Sequence, residues 1–142
     1  MKKLLIPFFC LFVGLSSQAT FAQDKNGAAF KFKEGETHDF GTVPLGPEVY
    51  YDFVFTNTGN QPLIITDCQP SCSCTTPVWP KEPVLPGQTG KINVGYKTKD
   101  HAGPFNKDIY IQSNAVVPNG EKRYTIHIKG IVKDEGGNKD AK

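Results

Sequence analysis

The chain has 142 residues and a formal net charge of +2, all of it supplied by Lys2 and Lys3. Beyond residue 22, Lys and Arg balance Asp and Glu at 14 of each. A neutral remainder argues against a general nucleic-acid binder, which needs a basic face. The length allows one domain with one core and leaves no room for a second.

In chain order, Met1-Lys2-Lys3 is a short basic start. Leu4 to Leu15 is an apolar run broken only by Pro7 and Gly14, and Ser16 to Ala22 is more polar, with small residues at Thr20 and Ala22. This is the pattern of a secretory signal peptide over residues 1–22, cleaved after Ala22. The run is too short to span a bilayer, which takes about 20 apolar residues. No later segment approaches that length, so no membrane insertion of the mature chain is expected. Phe8 and Phe9 are too large for the small residues a lipoprotein signal wants before its cysteine, which sets Cys10 aside. The expected location is periplasmic or secreted, where disulfides form. Cleavage removes Cys10 and leaves Cys68, Cys72 and Cys74, an odd number that permits one intramolecular disulfide and one spare thiol.

The mature part holds nine Val, eight Ile and ten Thr against three Leu. β-Branched side chains suit a pleated surface. Ten Pro and thirteen Gly leave few stretches long enough for a helix. The composition predicts an all-β chain. Strands are expected at Ala29–Lys33, Thr37–Gly41, Val49–Asn57, Leu63–Asp67, Lys91–Lys97, Lys107–Ser113 and Arg123–Val132. The clearest is Val49–Asn57, where Val49, Tyr51, Phe53 and Phe55 alternate with Tyr50, Asp52, Val54 and Thr56, so the first set faces the core. Seven to eight short strands at this spacing predict a single β-sandwich. Between Cys68 and Gly90 five prolines and three cysteines interrupt the alternation. An irregular connection is expected there, lying over the sandwich with Trp79 as a hydrophobic plug. The tail 133–142 is polar with nothing to bury, and is expected to be disordered.

Several segments, in order, carry a family resemblance: Thr37-His38-Asp39-Phe40-Gly41-Thr42-Val43, Phe55-Thr56-Asn57-Thr58-Gly59-Asn60, Pro62-Leu63-Ile64-Ile65, Ser71-Cys72-Ser73-Cys74-Thr75-Thr76-Pro77, Pro86-Gly87-Gln88 and Gly103-Pro104-Phe105-Asn106-Lys107. Together they resemble DUF1573, a bacterial secreted domain of unknown function, over residues 32–132, with 23–31 as an N-terminal lead-in. The first part also resembles the immunoglobulin-like domains of the ASPM/SPD-2/hydin and major sperm protein type. The resemblance implies an immunoglobulin-like sandwich exported from a Gram-negative cell, with no established catalytic residue. It maps the family's cysteine pair onto Cys72 and Cys74, with Cys68 additional.

The cluster Cys68-x3-Cys72-x-Cys74 admits three chemistries. Thiolates this close suit a soft metal such as Cu(I) or Zn(II), completed by His38 or His101, although the spacing is not that of a zinc ribbon. A Cys72–Cys74 ring would be a thiol–disulfide exchange site. The structural reading, which leads for an exported domain, is one disulfide from Cys68 to Cys72 or Cys74 pinning the proline-rich connection.

His38 and Asp39 are adjacent on a strand and point to opposite faces, so Asp39 is expected to bind backbone amides at the strand end. His127 reads as an outward strand residue and His101 as a turn residue. Ser71 and Ser73 lack a nucleophile frame, and Glu34 with Glu36 reads as a solvated edge. Trp79, Tyr50 and Tyr110 are the partner-contact candidates, because outward aromatics anchor interfaces. The expectation is a non-enzymatic, cofactor-free interaction module of the periplasm or cell envelope, with an envelope protein or peptide as partner. The alternative is a soft-metal-binding or thiol-redox protein using Cys68, Cys72 and Cys74.

Overall fold

The computed structural model describes residues 26–121 and 123–134. The signal peptide expected at residues 1–22 and the part of the expected disordered tail beyond Asp134 lie outside the described residues. Among the described residues eight strands follow one another: β1 (Phe30–Phe32), β2 (Thr37–Pro44), β3 (Val49–Asn57), β4 (Ile65–Pro70), β5 (Thr75–Val78), β6 (Thr89–Tyr96), β7 (Gly103–Ser113) and β8 (Tyr124–Lys133). They form two four-stranded sheets, ordered β1-β3-β6-β5 and β2-β8-β7-β4. The expected immunoglobulin-like all-β sandwich is what the chain forms.

The alternation on β3 has the expected consequence. Phe53 and Phe55 are buried, Val49 and Tyr51 are half-buried against the core, and Tyr50 is turned out. From β6 come Ile92, Val94 and Tyr96, and from the facing sheet Ile109, Ile111, Ile126 and Ile128, all essentially without solvent contact. Each such side chain contributes roughly 1.5–3 kcal/mol of burial. Aromatic rings close both ends of the core. Phe30 meets Phe55 and Tyr124 edge to face at 5.0 and 4.9 Å, while Tyr96 stacks on Phe105 at 4.0 Å.

Several boundaries differ from the sequence expectation, among them the start of β7, which lies at Gly103 rather than Lys107. β2 continues to Pro44 because Gly41 adopts φ 64° in a bulge, its N–H donating to Asp39 Oδ1 at 2.8 Å; pairing with β8 then resumes in parallel at Thr42. Asp39 thus binds a backbone amide as expected, but at a bulge within β2 rather than at a strand end. β4 is shifted towards the cysteines, since Leu63 makes only an isolated bridge with Val84 while Cys68 to Pro70 pair with β7. The connection from Cys68 to Gly90 is not wholly irregular: Thr75–Val78 adds β5 to the edge of β6. Pro77 hides this strand in the sequence, yet an edge position tolerates a proline because one side of the strand needs no ladder bond.

Two buried polar side chains hold the loops. Asn57 and Thr98 are fully buried. Thr98 Oγ1 donates to the Pro47 carbonyl and accepts from Gly46 N–H, both at 2.8 Å, which fixes the turn before β3.

Candidate functional site

The residues between β4 and β5 decide which cysteine chemistry is open. Ser71 anchors their turn to β7: its N–H donates to the Asp108 carbonyl at 2.8 Å, and its Oγ accepts from Asp108 N–H at 3.0 Å. On that turn Cys72 and Cys74 form a disulfide, with Cα atoms 5.3 Å apart. The staple expected from Cys68 to one of the other two is therefore not the bond that forms. The pair is the one the family resemblance implied. Among the described residues Cys68 is the free thiol. It sits on β4 opposite Ile111, 4% exposed, as a small apolar core residue. Burial pushes its pKa up to about 12; the Asp67 carboxylate adds to this and the Lys81 ammonium opposes it. With two sulfurs bonded to each other, a three-thiolate metal site is not assembled. Among the described residues no group of three or more His, Cys, Asp or Glu is arranged to hold a metal ion.

The disulfide lies at the start of β5, whose outward face carries Thr76 and Val78. Val78 is 62% exposed and Tyr50 58%. The two belong to one surface, because Tyr50 on β3 and Thr76 on β5 flank Gly95 of β6. A Cβ at Gly95 would lie 2.7 Å from Thr76 Oγ1 and 2.8 Å from the Tyr50 ring, so the missing side chain lets the ring lie across the sheet. The Tyr50 hydroxyl donates to the Glu48 carboxylate, which raises its pKa. Beside this apolar strip runs a polar row: Asn93 Nδ2 donates to Asp52 Oδ1 at 2.7 Å and Lys91 Nζ to Asp52 Oδ2 at 2.9 Å. The other two aromatic candidates are less available. Trp79 packs partly buried against the core with the Lys81 ammonium 3.4 Å over its ring, and Tyr110 lies half-buried under the Arg123 guanidinium at 4.3 Å. Val78, which the sequence reading passed over, is the most exposed large apolar side chain on this edge. Membership of a strand interrupted by proline concealed it.

The family described as "Protein of unknown function (DUF1573)" matches residues 30–132. The chain belongs to it. No curated protein matches this DUF1573 chain in sequence. Among solved structures it is similar to a protein of unknown function from Porphyromonas gingivalis W83, with TM-score 0.64 and 16% identity over 75% of this chain and 48% of that one. It is also similar to the Vibrio cholerae VesB protease, with TM-score 0.57 and 19% identity over 72% of this chain and 31% of that one. The DUF1573 domain thus spans about half of the first protein and a third of the second. A third relative in shape is the human CEP192 ASH/PapD-like domain 7, with TM-score 0.55 and 9% identity over 76% of this chain and 87% of that one. At these identities the likenesses establish the immunoglobulin-like, PapD-like fold.

Among the described residues the DUF1573 domain also has a concavity on its second sheet that the sequence reading did not assemble. A groove of about 420 Å³ on the second sheet is lined by Glu36, Asp108, Tyr110, Glu121, Tyr124 and His127, among others. Asp108 and His127 are directly opposite in the β7–β8 register, and His127 Nδ1 lies 2.7 Å from Asp108 Oδ1. That register was the missing signal, since His127 and Asp108 are far apart in sequence. A carboxylate orienting an imidazole is one part of a general-base arrangement. Both side chains are about 40% exposed, so the pair sits in high dielectric and contributes little. His38, the other imidazole beside a carboxylate, instead lies flat on Tyr51 with ring centroids 3.5 Å apart. Burial lowers its pKa, with Asp39 and Glu34 opposing.

Proposed function

We propose that this DUF1573 domain is a non-enzymatic interaction module of the periplasm or cell envelope. It contacts an envelope protein or peptide through side chains on the outer face of its first sheet, at the β5 edge. The observation that carries the reading is the exposure of Tyr50 and Val78 on one face, bordered by the Asn93–Asp52–Lys91 row. An apolar centre with a polar rim is the general anatomy of an interface, and a rigid tyrosine lying on a sheet is a good anchor. Side-chain contact is favoured over strand addition, because β5 has only four residues and Pro77 has no N–H to donate at the edge. Placement in the envelope rests on the signal-like segment at residues 1–22.

The test is affinity capture from envelope extract of the encoding bacterium, comparing the wild-type chain with a Tyr50→Ala/Val78→Lys variant of unchanged circular dichroism. The wild-type chain should retain a reproducible partner, and the variant should lose at least tenfold of it. Equal recovery by both chains, or no partner above background with the wild type, defeats the proposal.

A further inference from the structure

We propose that the Cys72–Cys74 disulfide is a reversible thiol–disulfide exchange site rather than a structural staple, taking a dithiol as its redox partner. The inference stands whether or not the Tyr50–Val78 face binds a partner. Four observations carry it. The ring encloses a single residue, Ser73, so closing it removes less entropy from the unfolded chain than any longer loop would. Its two cysteines differ in exposure, Cys72 being half-buried and Cys74 6% exposed. Thr75, itself 2% exposed, aims its hydroxyl at both sulfurs, at 3.7 Å from Cys72 Sγ and 4.0 Å from Cys74 Sγ. Finally, Cys74 and Ser73 form one wall of a cavity of about 470 Å³, whose other charged or titratable walls are Glu48, Lys97, Lys99, Asp100 and His101.

These features fit the two halves of an exchange reaction. A thiolate of the incoming dithiol attacks Sγ of Cys72, the more exposed of the two cysteines. The Cys72–Cys74 bond breaks, a mixed disulfide forms on Cys72, and the electron pair leaves on Cys74 Sγ, which takes up a proton from water in the cavity. The Thr75 hydroxyl donates to the departing thiolate, and hydrogen bonds to the charged form favour it. The second thiol of the donor, deprotonated, then attacks its own sulfur in the mixed disulfide. The donor leaves as an intramolecular disulfide and expels the Cys72 thiolate, which is protonated in turn. Two electrons and two protons pass from the donor to the cysteine pair. Cys68 takes no part, because its buried thiol is held protonated on β4. An exchange pair needs this separation, since a third reactive thiol would divert the mixed disulfide.

The test equilibrates the mature chain in glutathione buffers of graded redox poise, two glutathione molecules supplying the two thiols. Acid-quenched alkylation and mass spectrometry then read the state of each cysteine, with circular dichroism recorded in parallel. Structural disulfides resist reduction by glutathione. The expected result is half-reduction of Cys72 and Cys74 within the accessible range while the strand signal is unchanged. With oxidised glutathione, a Cys74→Ser chain should form a mixed disulfide on Cys72 at least tenfold faster than a Cys72→Ser chain forms one on Cys74. Thr75→Val, which keeps the buried shape, should slow reduction of the wild-type pair several-fold. A pair that stays oxidised throughout, or that is reduced only as the strand signal is lost, overturns the proposal.

Discussion

Replacing Asn57 by Ala should destabilise the domain more than any comparable polar truncation in it. Asn57 is fully buried at the end of β3. Its Nδ2 donates to the carbonyls of Gln61 at 2.8 Å and Val84 at 2.9 Å, while its Oδ1 accepts from the N–H groups of Ala29 at 3.2 Å and Gly59 at 3.0 Å. One side chain therefore joins the lead into β1, the turn after β3 and the proline-rich connection. At a net ~1 kcal/mol per hydrogen bond, four bonds amount to ~4 kcal/mol. The Val84 carbonyl bond is the fully buried one, but that carbonyl keeps a second donor in Leu63 N–H at 2.9 Å; the penalty of truncation falls on the part-buried Gln61 carbonyl and the Ala29 and Gly59 N–H groups, which recover part of theirs from water. The expected loss is about 3–5 kcal/mol, a large share of the 5–15 kcal/mol typical of a domain. Urea unfolding followed by far-ultraviolet circular dichroism and by the fluorescence of Trp79, the single tryptophan, measures it. A loss below about 1 kcal/mol with an unchanged denaturant slope would show that these four bonds do not act together as described.

Gly59→Ala should also destabilise strongly, because the new Cβ would lie 2.0 Å from the Gly27 carbonyl oxygen and 2.7 Å from Ala28 Cα, backbone atoms that cannot swing away; the same urea titration reads it, and a neutral result contradicts the close approach. His38 has a folded pKa below its ordinary 6.5, chiefly through burial, so the unfolded chain binds a proton more readily. Stability should be complete above that value and fall as pH drops through it; a His38→Phe chain should show a flatter urea midpoint between pH 7.5 and 5.5, and equal slopes would refute the assignment. Iodoacetamide at pH 8 should label no cysteine in a native chain beginning at residue 23, given the disulfide and the buried Cys68 thiol at about 12, and one in urea; a labelled native Cys68 would show that β4 opens.

The fold was legible wherever a side chain announces its own face. The alternation through Val49–Asn57, and the Ile pairs at 109 and 111 and at 126 and 128, specify inward faces without reference to any neighbour. The site was less legible because its parts are set by pairing. β5 contains a proline and has four residues, and it becomes a strand only because β6 lies alongside. Val78 and Tyr50 share a surface through Gly95, and His127 meets Asp108 through the β7–β8 register. Neither relation exists along the chain. The cysteines show the same limit: spacing allows several bonds, and the anchoring of Ser71 to Asp108 sets the turn on which Cys72 faces Cys74.

The most direct test of the proposed interface is site-specific photocrosslinking in the native envelope. A photoreactive residue replaces Val78 in one chain and, as a control, Ile131 in another; Ile131 is 46% exposed on β8 of the opposite sheet. The interface at the β5 edge predicts a discrete adduct from position 78, lost when Tyr50→Ala is added, and none from position 131. An adduct from position 131 alone, or none from position 78, would contradict it.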